Sequence, residues 1–469
     1  MSAILKRLHF IGICGTAMAT LAAMLKARGY AVQGSDHGVY PPMSEFLARE
    51  RITVFDGYRA EHITSDLDAV IVGNAISRGN PELETVLDRK IRYQSLPEAV
   101  RDHFLWDRRS IVIAGTHGKT TTSSLVAWLL TAGGRDPSFL VGGIAANFDG
   151  SYRLGQGREF VIEGDEYDSA FFDKTAKFLK YLPDVAVVGN LEYDHADIYP
   201  DMESLRTAFR RFLNLVPRTG RTIIGIDSDE ARRLVDGARG EVETFGLAAD
   251  ADWRASEVRP QGDATVFEVM HRREPLGHFT APLSGVHNVR NALASLAVGH
   301  ALGMSPDVLR QGLAAFKGVR RRLELRGCER GVWVYDDFAH HPTAIMETMR
   351  AVKAAHPAAR VWAVFEPRSA TSCRRVFQDD FVRAFDESGA DEIVLAPVFR
   401  SSLPEAERLD VTAVVAELTR RGRRARQMPG VEAIVELIAQ EAREGDRVVV
   451  MSNGAFDGLH DKLLARLTR

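Results

Sequence analysis

Cysteine is scarce in this chain. The three present among 469 residues, Cys14, Cys328 and Cys373, lie too far apart for the paired spacing of a zinc site or a disulfide framework. Reduced thiols and a cytoplasmic setting are therefore expected. No stretch approaches the ~20 mostly apolar residues that span a bilayer, which argues against a membrane protein. The early basic residues lead into Leu8–Met18, a run interrupted by His9, Gly12, Gly15 and Thr16 that does not read as a signal peptide. Charge of one sign is not in excess either. Sixty basic against 63 acidic residues leave a formal charge of -3, so no global field recruits nucleic acid or an anionic membrane, and any anion must be bound locally. Short-period repeats and low-complexity tracts are missing, and the locally basic Arg420–Arg426 reads as a solvated helix end.

Glycine, by contrast, is spread through the chain, and it punctuates a recurring order of short apolar run, glycine turn and amphipathic run. Leu8–Ile13, Ala17–Arg28 and Tyr30–Gly34 predict a β-α-β unit, and Asp68–Gly73, ending in Asn74, extends it before the helical Asn80–Lys90. A fresh buried strand is expected at Ser110–Ala114, with further strands at Glu159–Ile162, Val185–Val188 and Arg221–Ile226. A β-rich stretch over Glu241–Phe279 and a closing helix over Asn288–Leu302 follow. After Lys317-Gly318-Val319 the pattern restarts, with strands at Val332–Tyr335, Val361–Phe365, Glu392–Ala396 and Arg447–Met451. The length suits roughly three domains at about 100–200 residues each, and the restarts place them at 1–108, 109–317 and 318–469. The fold class is α/β in all three, with a ligand crevice expected at the strand ends.

Gly115-Thr116-His117-Gly118-Lys119-Thr120-Thr121-Thr122 lies between the strand ending at Ala114 and the helix Thr121–Leu130, the context a phosphate-binding loop requires. Glycines let backbone N–H groups approach phosphate oxygens, Lys119 can neutralise β/γ oxygens, Thr120 can ligate magnesium, and the helix start adds a favourable dipole. Ile113 stands where the usual pattern has its first glycine.

Two acidic clusters, Glu163–Asp168 and Glu192–Asp197, follow strands and can face those phosphates, with a carboxylate and an imidazole holding magnesium; a capping or solvated turn fits either cluster alone. Asn288 and Asn291 share a helix face, although capping explains them equally well. Arg320-Arg321-Arg322 and the Asp336–Pro342 segment flank a strand with opposite charge, and a surface cluster suits the arginines when read alone. Gly12, Gly15 and Thr16 belong to a weakened dinucleotide fingerprint in which Cys14 replaces one glycine, which favours a diphosphate site over a redox cofactor. Asp36 ends the second strand where a ribose or uracil could be met, and an acidic turn residue would look the same.

Taken in order, GTHGKTTT, EGDEYD, NLEYDHADIY, GVHNVRNA, RRRLELRG and DDFAHHPTA resemble the Mur ligase family of peptidoglycan synthesis over nearly the whole chain. That resemblance implies a Rossmann-like N-terminal domain, a central P-loop ATPase domain and a Rossmann-like C-terminal domain that closes on ATP. HFIGICGTAMATLA followed by GSD is most similar to the branch that binds UDP-N-acetylmuramate, whose members add L-alanine or a preformed peptide. DHGVYPPMS, GNAISRGNPELE, GDEYDSAFFDK, RRRLELRG and EPRSATS look closer to the peptide-adding members. The implied reaction joins L-Ala-γ-D-Glu-meso-diaminopimelate to UDP-N-acetylmuramate with ATP and Mg2+, in peptidoglycan recycling.

Carried over by motif, Gly115, Thr116, His117, Gly118, Lys119, Thr120 and Thr121 would cradle the triphosphate, and Thr120, Glu163 and His195 would hold the metal. Lys119, Glu163 and His195 would be catalytic, with Glu166 a less certain companion. Asn288, Asn291, Arg322 and Asp337 would meet the nucleotide, and Gly12, Gly15, Thr16, Asp36, Asn74 and Arg368 the substrates. Some members use a carbamylated lysine, but no lysine occurs between Lys180 and Lys317. A monomer or weak homo-oligomer is expected, with neither nucleic acid nor membrane as partner. The alternatives are an L-alanine-adding ligase, a nucleotide- and UDP-sugar-binding switch without turnover, and an oxidoreductase read from the first glycine loop, which leaves the triphosphate motif unexplained.

Overall fold

The computed structural model describes residues 6–39, 43–194, 198–399 and 403–468. Three sheets, taken in chain order, make three α/β domains. The first holds β1 (Arg7–Ile11), β2 (Ala31–Asp36), β3 (Thr53–Asp56), β4 (Ala69–Val72) and β5 (Tyr93–Ser95), parallel throughout in the order β3-β2-β1-β4-β5. The strand order reverses between β1 and β4, and the crevice beyond such a switch point is where open α/β sheets bind ligands. The loop Gly12–Gly15 lies there. It follows β1 directly, because Gly12 turns the chain at φ +84° and ends the strand two residues before the apolar run ends.

The helix α1 (Thr16–Ala27) covers one face with Leu21, Met24 and Leu25, all fully buried. On the other side α2 (Pro81–Asp88) carries a buried carboxylate, Glu82, into the sheet. Glu82 accepts from His62 Nδ1 at 2.6 Å and from Ser35 Oγ, and pairs with His9 Nε2 at 3.1 Å, so one side chain ties β1, β2 and α2 together just beneath the glycine loop. Burial alone would raise its pKa, but the bonds and charge from His9, Ser35 and His62 outweigh it and hold the carboxyl below its ordinary range.

The central sheet has ten strands: β6 (Arg109–Ala114), β7 (Ser138–Ala145), β8 (Gly150–Arg153), β9 (Glu159–Gly164), β12 (Val185–Val188), β13 (Arg221–Gly225), β14 (Glu241–Gly246), β15 (Trp253–Gln261), β16 (Ala264–His271) and β17 (Glu274–Ala281). A separate hairpin, β10 (Asp168–Ala170) and β11 (Asp173–Ala176), projects from the end of β9. The order β17-β16-β15-β14-β13-β12-β6-β9-β7-β8 puts β6, β9 and β12 side by side, parallel and buried, as their unbroken apolar runs require. Against them pack α3 (Lys119–Ala132) and α4 (Val286–Ala301), through Leu125, Leu129, Leu293 and Leu296. Full burial of each such leucine contributes about 1.5–3 kcal/mol.

The third sheet contains β18 (Glu324–Glu329), β19 (Val332–Asp337), β20 (Val361–Phe365), β21 (Glu392–Leu395), β22 (Ala425–Gln427) and β23 (Arg447–Met451), ordered β18-β19-β23-β20-β21-β22. Its helix α5 (Pro342–Ala355) starts at the N-cap His341, with proline in the first turn. The basic run Arg420–Arg426 is not simply a solvated helix end. It leaves a helix at Arg420 and re-enters the sheet as the edge strand β22, where Arg426 pairs with Glu392 and Glu441. No described helix is long and apolar enough to cross a membrane.

A carboxyl whose pKa folding depresses stabilises the protein above its unfolded value and stops doing so as pH falls through the folded value. Replacing Glu82 by Gln should therefore cost about 2 kcal/mol at pH 7, with the gap to the unsubstituted protein closing in acid. Denaturant unfolding of both proteins at neutral pH and below pH 4 measures this, and a gap that persists in acid refutes it.

Candidate active site

The loop after β6 is built on two glycines with positive φ, Gly115 at +132° and Gly118 at +82°. A Cβ on Gly115 would sit 2.9 Å from the backbone oxygen of Asn190, and one on Gly118 would sit 2.4 Å from Asn291 Oδ1. The loop is sewn to the end of β12. Thr116 N donates to Asn190 O at 3.1 Å, His117 N donates to Asn190 Oδ1 at 2.9 Å, and Glu192 N donates to Thr116 Oγ1 at 2.9 Å. Gly118 caps α3 without a side-chain hydrogen bond, so the first N–H groups of that helix stay available to an anion.

Lys119 Nζ donates to Gly115 O at 2.8 Å and to both oxygens of the buried Glu166, at 2.8 and 3.1 Å. Burial opposes the ammonium charge, but Glu166 and Asp165 outweigh it and hold the lysine above its ordinary pKa. Thr120 Oγ1 donates to Glu163 Oε2 at 3.2 Å, and Glu163 Oε1 accepts from Gly142 N at 2.6 Å. Burial and the neighbouring Asp165 raise the Glu163 pKa. A hydroxyl beside a carboxylate crowded by another carboxylate is a hard-oxygen donor set that a divalent cation would relieve.

Asn288 and Asn291 do share one face of α4. Asn291 Nδ2 donates to Asn288 Oδ1 at 3.1 Å and Thr122 Oγ1 donates to Asn291 Oδ1 at 3.2 Å, while the N-cap is Gly285, so neither asparagine caps the helix. Arg322 lies over the Phe338 ring at 5.1 Å. Asp337 is buried and accepts from Leu323 N and Ala339 N, each at 2.8 Å, which fixes the turn that presents Arg322. Thr116–Thr122, Glu163, Asn288, Asn291, Arg322 and Asp337 all line one cavity of about 1000 Å3. Thr16 of the first domain reaches the same cavity.

The other sequence-derived residues stand further out. Gly15 is the uncapped N-cap of α1, and Gly12 opens its loop. Asp36 braces that loop: Oδ2 accepts from Cys14 N at 2.7 Å and Oδ1 from Tyr58 OH at 3.0 Å. Asn74 donates to Asp168 Oδ1 at 3.1 Å, across to the central domain. Arg368 lies 3.8 Å above the Phe399 ring and 3.8 Å from Glu366. His195 lies outside the described residues.

Contacts between the central and third domains were not singled out from the sequence. Thr343 Oγ1 donates to Glu192 Oε2 at 2.6 Å, Thr371 Oγ1 to Asp194 Oδ1 at 2.5 Å, and Arg290 bridges Asp227 at 2.7 Å and Glu347 at 3.0 Å. Their partners lie up to 177 residues apart in the chain, so no local pattern marks them. Burial would raise Glu192, but the bond to His117 and its charge pull it down to about 2. Burial and the neighbouring His117 push His341 down to about 4.

A glycine-lysine loop between strand and helix in the middle domain and one cleft lined from all three domains mark a multidomain protein of the nucleotide-binding class. The first, central and third regions match, in turn, the Mur ligase family catalytic domain over residues 7–105, the Mur ligase middle domain over 113–299 and the Mur ligase glutamate ligase domain over 321–454. A UDP-N-acetylmuramate–L-alanyl-γ-D-glutamyl-meso-2,6-diaminoheptandioate ligase from Escherichia coli is 39% identical over 465 residues, covering 99% of this chain and 98% of the relative. A UDP-N-acetylmuramate–L-alanine ligase from Rhizobium etli is 38% identical over 464 residues, covering 96% and 94%. The crystal structure of a murein peptide ligase from Psychrobacter arcticus superposes with a TM-score of 0.72 at 34% identity, covering 99% of each chain. The chain belongs to the Mur ligase family, whose members are ATP-dependent amide-bond-forming ligases.

Alanine at Gly118 would combine a left-handed backbone, at a cost of about 1–3 kcal/mol, with a clash against Asn291. ATP should then bind at least about tenfold more weakly, as isothermal titration of the Gly118→Ala variant would measure. Unchanged affinity would show that the loop does not seat the phosphates.

Proposed function

We propose that this chain joins the tripeptide L-Ala-γ-D-Glu-meso-diaminopimelate to UDP-N-acetylmuramate at the expense of ATP, returning recycled wall peptide to peptidoglycan synthesis in the cytoplasm. The observation that carries the reading is the single cavity lined by Thr16 of the first domain, by Lys119 and Thr120 at the start of α3, and by the third domain's Arg322. A UDP-sugar held by one domain thereby meets a triphosphate held by the next. On this reading 1–108 binds the UDP-sugar, 109–317 binds ATP, and 318–469 closes on ATP and takes the peptide. The full-length similarity to the Escherichia coli and Psychrobacter arcticus enzymes supports the peptide acceptor.

The chemistry follows from the donor set. The lactoyl carboxylate is a poor electrophile until one of its oxygens attacks the γ-phosphorus and ADP departs, leaving a mixed anhydride. The peptide amine then attacks the acyl carbon, inorganic phosphate leaves, and the amine gives up a proton. Lys119 and Arg322 place positive charge against the transferring phosphoryl oxygens, and positioning supplies much of the remainder. Thr120 and Glu163, with His195, would hold Mg2+, which when bound neutralises phosphate charge between nucleotide and acceptor. For Lys119 to reach the triphosphate, Glu166 must release it, so Glu166 is a placeholder for the phosphates. Asn288 and Asn291 would meet adenine or ribose. Gly12, Gly15 and Thr16 would receive the UDP diphosphate, Asp36 would act through the loop it braces, and Asn74 and Arg368 would guide the two substrates. Arg368 neighbours Gly454, whose bare Cα makes room for its guanidinium: a Cβ there would fall 2.2 Å from Arg368 Nε.

The Rhizobium etli relative supports one further reading, in which free L-alanine is the acceptor. Magnesium-dependent ADP release with UDP-N-acetylmuramate should occur with the tripeptide and not with L-alanine, and mass spectrometry should identify the UDP-muramoyl tripeptide. Turnover with L-alanine alone moves the chain to the other branch, and turnover with neither overturns the ligase reading. Lys119→Ala should lower kcat by at least about 100-fold while UDP-N-acetylmuramate still binds.

A further inference from the structure

His117, Glu192 and His341 come from three separate segments: the phosphate loop, the loop after β12 and the N-cap of α5. One ligand atom from each lies within 4.8 Å of the other two. Glu192 Oε2 is 3.4 Å from His117 Nε2 and 3.8 Å from His341 Nδ1. Nitrogen and oxygen ligands each about 2.0–2.2 Å from one tetrahedral ion stand roughly 3.3–3.6 Å apart. The two distances to Glu192 match that spacing to within a few tenths of an ångström, the two histidine nitrogens lie within 4.8 Å of each other, and no other group of three histidine, cysteine or carboxylate ligands gathers this way among the described residues.

His341 is poorly partnered. Its side chain is 7% exposed, and its buried Nε2 has no hydrogen-bond partner. The other nitrogen, Nδ1, accepts only a long bond from Thr343 N at 3.3 Å. Nδ1 is also the nitrogen that faces Glu192, and its long bond to Thr343 N holds its lone pair only weakly, so an ion can take that lone pair in place of the N–H. Meanwhile Thr343 Oγ1 donates to the same Glu192 oxygen that faces both rings, an outer hydrogen bond of the kind that orients a ligating carboxylate.

We propose that His117, Glu192 and His341 form a cation site distinct from the Thr120–Glu163 oxygen site, selective for a zinc-type divalent ion over magnesium, which pins the third domain to the phosphate loop. Two imidazoles and one carboxylate suit a borderline ion such as Zn2+ or Co2+, whereas a hydroxyl and carboxylates suit Mg2+. Three protein ligands leave a fourth position, and all three line the cavity, so that position opens toward the cleft. The proposal needs no ligase turnover, so its outcome is independent of the acceptor chosen above.

Zinc is titrated into the full-length protein in excess Mg2+ against a chromophoric chelator, and Co2+ is followed by its visible absorption. One zinc equivalent is expected in the unsubstituted protein and in Glu163→Gln. Zinc should bind at least about tenfold more weakly in Glu192→Gln and in His341→Asn, where asparagine preserves the cap of α5. Co2+ in the unsubstituted protein should give the intense absorption of a tetrahedral site, a result that does not depend on any variant folding. No bound equivalent, zinc retained undiminished in both Glu192→Gln and His341→Asn, loss of zinc in Glu163→Gln, or only the weak spectrum of octahedral Co2+ would each overturn the proposal.

Discussion

The helix after the phosphate loop begins at Gly118 with no side chain to satisfy its first N–H groups, and much of the cleft is arranged around that omission. An uncapped helix start presents partial positive charge at a fixed point. Adding Lys119 concentrates it further, and the protein balances the excess with Glu166, whose carboxylate lies against the ammonium at 2.8 Å. The pair fixes the lysine against the loop, where Lys119 also donates to Gly115 O at 2.8 Å.

The acidic side of the cleft is set by strand register. Glu163 sits at the end of β9 beside β6, so the parallel register that pairs Ile113 with Glu163 also sets its carboxylate against Thr120 at the start of α3. Crowded carboxylates are unfavourable alone and favourable around a cation. The cleft thus holds complementary deficits, a positive helix start and a negative strand end.

Domain arrangement enters through side chains that cross the cleft. Thr343 on α5 reaches Glu192, Thr371 reaches Asp194, and Arg290 reaches Glu347. The pairs are short and polar, and several are partly exposed. Interactions of this kind fix direction more than they add stability.

The sequence by itself determined the elements and their chemistry. Apolar runs such as Val185–Val188 and Val361–Phe365 became strands of those bounds, and GTHGKTTT became a loop, Gly115–Gly118, running into the first turn of a helix that starts at Lys119, two residues before the expected start. Weaker local signals were lost. The edge strands β18 and β22 carry charged and polar residues in place of an apolar run, and β7 is interrupted by Gly142 and Gly143. Asp36 and Asp337 were legible as acidic strand ends, but only packing decided that their oxygens would be occupied by backbone N–H groups. Tertiary structure alone brought His117, Glu192 and His341 together and set Glu166 on Lys119, because contacts between residues tens to hundreds of positions apart depend on how sheets stack and domains meet, and no local periodicity encodes that.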